Sequence, residues 1–488
     1  MIRGAMMSKS QGKEKKFVMD WIDSHSADIF KLSDDIWNYS ELGMEEYRTS
    51  KALVTCLKKN GFTVEEGVAG MPTAFVATYG SGKPIIAFNV EMDALPGLSQ
   101  EKGLNIKNPV IEGAPGHGCG HNLLGPGAAL AAISLSRVLA KFNLSGTVKA
   151  FGTPAEELCI GKPFMARAGL FNDVDVFLDW HPFFNNNTDY TTCNSYFSIR
   201  FHFKGRTAHG NSPWEGRSAL DAAVLSGNMI EFLRENITPG NPPLAANTIN
   251  YSFPDVGPAF PVVVPDRSTI WCVGRVVNSD EAKYVVDRLH KIAQASALAT
   301  ETGVEIELIS ATHERIPNKV ISQVLHDNLQ EIGPIKFTVA ENNSAKKMQK
   351  DLGISETGIN SRISPLNGGA HAVTDNSEFS WFAPISTLWL AIAPPGIGWH
   401  NWQVVSLAGS EIGKKAINVA AKILAASGID LLLKPSILNR AKKELAERLQ
   451  GRVYTSLIPE AVKPPVLINR GIMDQYRPLL EKHYRRPR

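Results

Sequence analysis

Short apolar runs in this chain repeatedly end in side chains that can hold a metal ion, and that pairing constrains the fold more than any other feature. The run PIIAFNV at 84–90 is followed by Glu91 and Asp93, and residues 147–151 lead into Pro154, Ala155, Glu156 and Glu157. Residues 174–178 lead into Trp180, His181 and Pro182, and residues 385–393 lead towards Trp399 and His400. A short apolar run of this kind reads as a buried strand. Helical stretches fall at 16–32, at 50–60 (closed by Gly61) and at 123–142. Strands alternating with helices predict an α/β domain with a mainly parallel sheet. Ligands of such sheets bind beyond the carboxyl ends of the strands, where these polar clusters fall.

After about residue 192 the pattern changes. Phe197, Ile199, Phe201 and Phe203 alternate as a half-exposed strand does. A helix at 218–236, an extended stretch near Asn250, a strand at 269–277, a helix at 280–302 and a strand at 304–309 complete a small sandwich with helices on one face. This segment reads as an insertion between two parts of the α/β domain. The boundaries are 10–194 and 315–460 for the two catalytic parts, 195–314 for the insert and 461–488 for a tail. Residues 342–370 read as a long loop, 406–426 as a helix, and the proline-containing basic tail, ending in RRPR, as an extended surface segment.

The 51 Lys and Arg against 48 Asp and Glu leave a net charge of only +3, which argues against a dedicated nucleic-acid binder. The five cysteines are scattered and odd in number, as in a reducing compartment. The amino-terminal segment has no apolar core of a secretory signal. No stretch reads as long and apolar enough to span a bilayer, the longest candidate, 128–139, being interrupted by Ser134, Ser136 and Arg137. The expected setting is soluble and cytoplasmic, with no membrane or nucleic-acid partner.

Thiolate, imidazole and carboxylate are ligands of zinc, and manganese accepts the latter two. In His117-Gly118-Cys119-Gly120-His121 the glycines allow close backbone approach, and the following helix presents its positive end, which favours thiolate. Taken singly, each cluster has a plainer reading. Cys119 could sit in a tight turn, Glu156 and Glu157 on a solvated face, His181 in the core, and His400 in aromatic packing with Trp399 and Trp402. Their combination points to a metal centre.

These residues sit in recognisable motifs: GSGKPIIAFNVEMDALPGLSQ, GHGCGHNLLG, GTPAEE, WHP, FKGRTAHGNSPWEGRSALDA and WHNWQ. Together they resemble the M20 metallopeptidase family in its amidohydrolase-like branch, in particular the group of the p-aminobenzoyl-glutamate hydrolase B component. The resemblance implies a zinc-exopeptidase-like catalytic domain with an inserted α+β lid that also dimerises, and two divalent ions, Zn2+ or Mn2+, per protomer. It implies that Cys119 bridges the metals, with His121, Glu157, His181 and His400 completing their shells. It makes Glu156 the general base and Asp93 an orienting aspartate, and it puts Glu91, where peptidase branches carry a histidine ligand, behind the ligands. His209 matches a lid histidine that reaches the neighbouring protomer's site. Val262 stands where the family often has asparagine, which removes an expected substrate contact. Cys159, close after the glutamates, reads as a buried structural thiol.

The implied activity is hydrolysis of the amide bond of N-acyl or N-aroyl amino acids, p-aminobenzoyl-glutamate-like, by a metal-activated water. The alternatives are a dipeptidase or carboxypeptidase of the same family, or a non-catalytic partner of another chain. The implied assembly is a homodimer, with a hetero-oligomer containing a homologous chain as the other possibility.

Overall fold

In the computed structural model, which describes residues 12–241 and 245–484, the polar clusters converge because their strands are parallel neighbours. Strands Gly146–Thr153, Ile85–Glu91, Val176–Phe183 and Ile385–Ala391 lie side by side in that order, all parallel. Their carboxyl ends therefore open on one edge, which brings Glu91, the turn after Thr153, and His181 together. Antiparallel Phe75–Ser81 and Thr63–Glu66 extend one side of the sheet. Asn187–Thr192, antiparallel to Ile385–Ala391, and Asn367–Ala370, parallel to Asn187–Thr192, extend the other to eight strands. Strand Ile85–Glu91 is buried along its whole length, as a strand covered on both faces must be.

Helices His121–Phe142 and Glu411–Leu433 pack against each other over this sheet. The first is built of small residues because the sheet comes close: a Cβ on Gly127 would lie 2.8 Å from the Trp180 ring, and one on Gly125 2.6 Å from the Glu91 carbonyl. Both helices are long and apolar enough to cross a membrane by length and composition, contrary to the sequence reading. Ser134, Ser136 and Arg137 do not break the first, since both serines bond back to carbonyls of their own helix. Both helices are largely buried within the fold, as core helices are.

The second sheet is wholly antiparallel, in the order Thr248–Asp255, Arg267–Val276, Ser195–Lys204 and Gly303–Thr312. Helices Ala219–Arg234 and Ser279–Ala299 cover it, each started by a side-chain cap, Ser218 to the Asp221 N–H and Asn278 to the Glu281 N–H. Phe197, Ile199, Phe201 and Phe203 are all buried.

Elsewhere several expectations are corrected. The single helix at 16–32 is two, Lys13–His25 and Ala27–Tyr39, broken at Ser26. The helix at 406–426 is likewise two, Trp402–Ala408 and Glu411–Leu433. The long loop at 342–370 contains most of helix Val339–Asp351, begun by a capping box between Thr338 and Glu341, and strand Asn367–Ala370. The tail is not extended throughout. Helix Arg470–Tyr484 buries Met473 and Leu480, and Arg470 and Arg477 both bind the buried Glu45 carboxylate. The closing RRPR and the first eleven residues lie outside the described residues.

Candidate metal centre

Backbone geometry delivers each donor. Gly120, at φ +83, turns the chain so that helix His121–Phe142 starts on the candidate donor His121 itself. Ala155, at φ +54, is in the left-handed region costly for any residue but glycine, and it turns Glu156 and Glu157 into the site on one 3-10 turn. The strain is held from outside. The Ala155 N–H donates to Glu46 Oε1 at 2.8 Å, and Gly43 leaves room for it, since a Cβ there would lie 2.7 Å from the Ala155 Cβ. His400, at φ +60, is another non-glycine residue of this kind.

The donors form two sets that share Cys119, namely Cys119–His121–His181 and Cys119–Glu157–His400, with ligand atoms within 4.8 Å of one another in each set. Cys119 Sγ lies 3.3 Å from His181 Nε2, and His400 Nε2 lies 3.4 Å from Glu157 Oε2. The histidines of the first set are aimed by their other nitrogens. His121 Nδ1 meets Asp93 Oδ1 at 2.9 Å, and His181 Nδ1 meets the Pro182 carbonyl at 2.7 Å. Both Nε2 atoms are thereby turned towards the centre, an arrangement typical of metal-ligating histidines. Asp93 also accepts the Glu157 N–H at 3.0 Å, so it orients one donor from each set. The Trp399 indole N–H points at Cys119 Sγ, 3.3 Å away.

A third set, Glu91–His121–Glu156, lies alongside, with Glu91 Oε2 3.3 Å from His121 Nε2. The other Glu91 oxygen is engaged by Lys162 Nζ at 2.9 Å, and the same ammonium bonds Asp375. Neither Lys162 nor Asp375 is picked out in the sequence. The one available signal is a lysine inside the apolar stretch IGKPFM.

The donor set fits a divalent cation. Glu91 Oε2, His121 Nε2 and Glu157 Oε1 are buried without any hydrogen-bond partner, an arrangement costly unless an ion occupies the space between them. The electrostatics agree. Burial, with Glu157 beside it, pushes the Cys119 thiol well up, so the helix terminus alone does not yield the thiolate expected from the sequence, which needs a cation. Burial pushes His181 down to about 4, leaving a neutral imidazole, the form that can bind a metal. Burial and then Glu91 push Glu156 up to about 7, while burial also raises Glu157. For Glu91 burial is outweighed by Lys162 and His121, which hold it down to about 2.

The centre opens into a cavity of about 530 Å³ lined by Phe183, Tyr196, Arg275, Arg315, Trp389 and Trp399 among others. Glu156 and Glu157 lie at its wall, and Thr374 Oγ1 donates to Glu156 Oε1 at 2.7 Å. Cys159 lines the same cavity and is buried. His209 is not brought there. It lies on the second sheet's side, its Nδ1 accepts the Asn211 N–H at 3.0 Å, and its backbone pairs with Val263.

Residues 87–384 match peptidase family M20/M25/M40. The chain belongs to the M20 peptidase family. It is 33% identical to the B component of p-aminobenzoyl-glutamate hydrolase from Escherichia coli K12 over 93% of this chain and 99% of that one. It is 28% identical to the Xaa-Arg dipeptidase of Mus musculus over 89% of this chain and 93% of that one. In fold, the M20 chain is similar to a putative aminohydrolase from methicillin-resistant Staphylococcus aureus, with a TM-score of 0.57, 17% identity, and coverage of 86% and 100% of the two chains. It is also similar to the aminobenzoyl-glutamate utilization protein of Klebsiella pneumoniae, with a TM-score of 0.54, 17% identity, and coverage of 83% and 98%. This M20 protein is a metal-binding hydrolase of amide bonds.

Proposed function

We propose that this M20 hydrolase releases an amino acid from N-acyl or N-aroyl amino acids at a two-metal centre. The observation that carries the reading is the pair of donor sets sharing Cys119, with Glu156 beside them at the wall of the cavity. Relatives named for aroyl- and acyl-amino-acid substrates support it: the B component of p-aminobenzoyl-glutamate hydrolase, hippurate hydrolase and indole-3-acetyl-aspartic acid hydrolase. Cys119, His121 and His181 would hold one ion, and Cys119, Glu157 and His400 the other. Divalent ions held there would supply Lewis-acid chemistry, activating water and polarising the amide carbonyl.

The chain's own part is proton handling and orientation. Glu156, fixed at one oxygen by Thr374, takes the proton of the attacking water and returns it to the leaving nitrogen. Asp93 keeps His121 and Glu157 in register. His209, which lies outside its own protomer's cavity, serves the site of a second copy through a lid-to-lid dimer. Exposed Trp214, Phe232, Phe260 and Val262 on the 195–314 segment suit such an interface. The thiol-containing set favours zinc, and the Glu157–His400 arm accepts manganese too. The five unpaired cysteines suit a cytoplasmic setting.

The A component of p-aminobenzoyl-glutamate hydrolase from Escherichia coli K12 is 27% identical over 58% of this chain, which supports the second reading of a hetero-oligomer. One assay separates the readings. The purified chain, supplied with Zn2+ or Mn2+, is tested on N-benzoyl amino acids and on dipeptides with a free α-amine. Cleavage of the benzoyl substrates that stops on chelation and returns with metal supports the hydrolase. A fully metallated chain that cleaves none of them overturns it.

A further inference from the structure

We propose that Trp399 is a positioning residue of the metal centre: its indole N–H fills the one lone pair that a thiolate shared between two ions leaves free on Cys119, and so fixes and tunes that sulfur. The inference rests on the two-metal reading and gives its shared donor a partner.

Trp399 Nε1 lies 3.3 Å from Cys119 Sγ and donates to it. The indoles of Trp37, Trp180, Trp381 and Trp389 all donate to oxygen atoms instead. A neutral thiol is a weak acceptor, whereas hydrogen bonds to an ionised group are about twice as strong. The contact therefore gains most with the sulfur as thiolate, the state that a bound cation enforces. The chain around the indole is tied down on both sides. His400, next in sequence, donates its backbone N–H to the Gly118 carbonyl at 3.2 Å, which joins this segment to the Cys119 turn. Asn401 then caps helix Trp402–Ala408 through the Gln403 N–H. The Trp399 ring packs edge-on against Phe183 with centroids 5.0 Å apart. One short segment thus delivers both His400, a donor of the second set, and the N–H on the sulfur common to both sets.

A thiolate sulfur carries three lone pairs, and sharing between two ions uses two of them. The third takes the indole N–H. This donor is neutral, so it draws electron density from the sulfur without adding a charge to the centre. Less density then passes from sulfur to metal, which keeps a bound ion electrophilic, as hydrogen bonds to metal-bound sulfur do elsewhere. A fixed N–H also selects one rotamer of the Cys119 side chain, the one that faces both donor sets. Trp389 shows what ring packing alone would require. Its ring lies 5.4 Å from His181 and 5.2 Å from Phe183, much as the Trp399 ring lies 6.1 Å and 5.0 Å from them. Its N–H goes to Asp189, however, and not to the sulfur.

The test loads the full chain with Co2+ and reads the sulfur-to-cobalt charge-transfer band, independently of turnover. The N–H stabilises the sulfur lone pairs, so its loss moves the band to longer wavelength. Trp399→Phe is expected to show that shift and to hold Co2+ roughly 10- to 100-fold more weakly. Trp389→Phe, which trims a neighbouring ring without touching the sulfur, is expected to leave the band at its wild-type position. Replacing Trp399 by β-(3-benzothienyl)alanine keeps the two-ring shape and puts a sulfur in place of the N–H. It is expected to give the same shift as Trp399→Phe, and it decides alone if the phenylalanine variant does not fold. An unmoved band in a folded Trp399 variant, or an equal shift in Trp389→Phe, overturns the role of the N–H and leaves the two-metal reading standing. A wild type that binds Co2+ with no sulfur charge-transfer band overturns both, because Cys119 is then not a ligand.

Discussion

Glu156 and Glu157 are neighbours in sequence yet differ in what they touch. Glu156 accepts a hydroxyl from Thr374, whereas Glu157 keeps one oxygen without a partner and sets the other 3.4 Å from His400. Glu156→Gln is therefore expected to retain its metal and lose turnover by roughly 10²- to 10⁴-fold, the contribution of a general base. Glu157→Gln is expected to lose metal, because it removes a charged ligand. Metal analysis and turnover on the same preparations check both, and exchanged phenotypes would reverse the assignment. The sequence offers these glutamates as candidates because they come soon after a strand-like run, as Glu91, Asp93 and His181 also lie at or near the ends of such runs, while their separate roles rest on the family resemblance. Lys162 was not legible, because what makes it meaningful is a pair of partners 71 residues before it and 213 after it. The bond from Trp399 to Cys119 was hidden for the same reason: 280 residues separate the two.

The elements that carry these residues are held by close packing and by one buried carboxyl. Gly127 of helix His121–Phe142 lies against Trp180, where an added Cβ would come within 2.8 Å. Gly127→Ala should cost about 1–3 kcal/mol, as overpacking does, read as a lowered urea midpoint at unchanged slope; an unchanged midpoint would show that the sheet gives way freely. Glu46, which anchors the Ala155 turn, is pushed up to about 8 by burial and then by Asp93. Its unfolded value is near 4.3, so between the two the folded state holds the extra proton. Stability from this group is complete below the unfolded value and is lost as pH rises towards about 8, by up to about 1.4 kcal/mol per pH unit. Glu46→Gln keeps an acceptor for the Ala155 N–H without titrating. Its stability should therefore gain on wild type as pH rises from about 5 to about 9, whereas parallel pH curves would contradict the shift. Helix Val339–Asp351 could have been found from its Thr338–Glu341 capping box, but few of its residues are buried, so its apolar period is faint. Helix Arg470–Tyr484 buries only Met473 and Leu480 and carries Pro478 inside, which made a basic tail look extended.

At the scale of the whole molecule, the change in hydrophobic period after residue 192 was enough to separate the second sheet from the first. The catalytic role proposed for His209 in that segment was not legible from the period alone. His209 lies in it, away from its own protomer's cavity. In a two-fold dimer joined through the insert, each His209 would serve the other protomer's centre. Co-expression of two inactive variants tests this. One chain carries Glu156→Ala and the other His209→Ala, each nearly inactive alone. In a mixed dimer one site keeps Glu156 and receives an intact His209 from its partner, while the other site lacks both. Random pairing makes about half of the dimers mixed and half of their sites competent, so about a quarter of wild-type activity should return. If His209 acts within its own chain, no site in the mixed dimer contains both groups and nothing returns. Separate affinity tags on the two chains allow the mixed dimer to be isolated. The same comparison on that species then expects about half of wild-type activity per dimer if the histidine crosses over, and none if it does not. A chain that remains monomeric at assay concentration while fully active would reject the crossover and leave the metal centre as it stands.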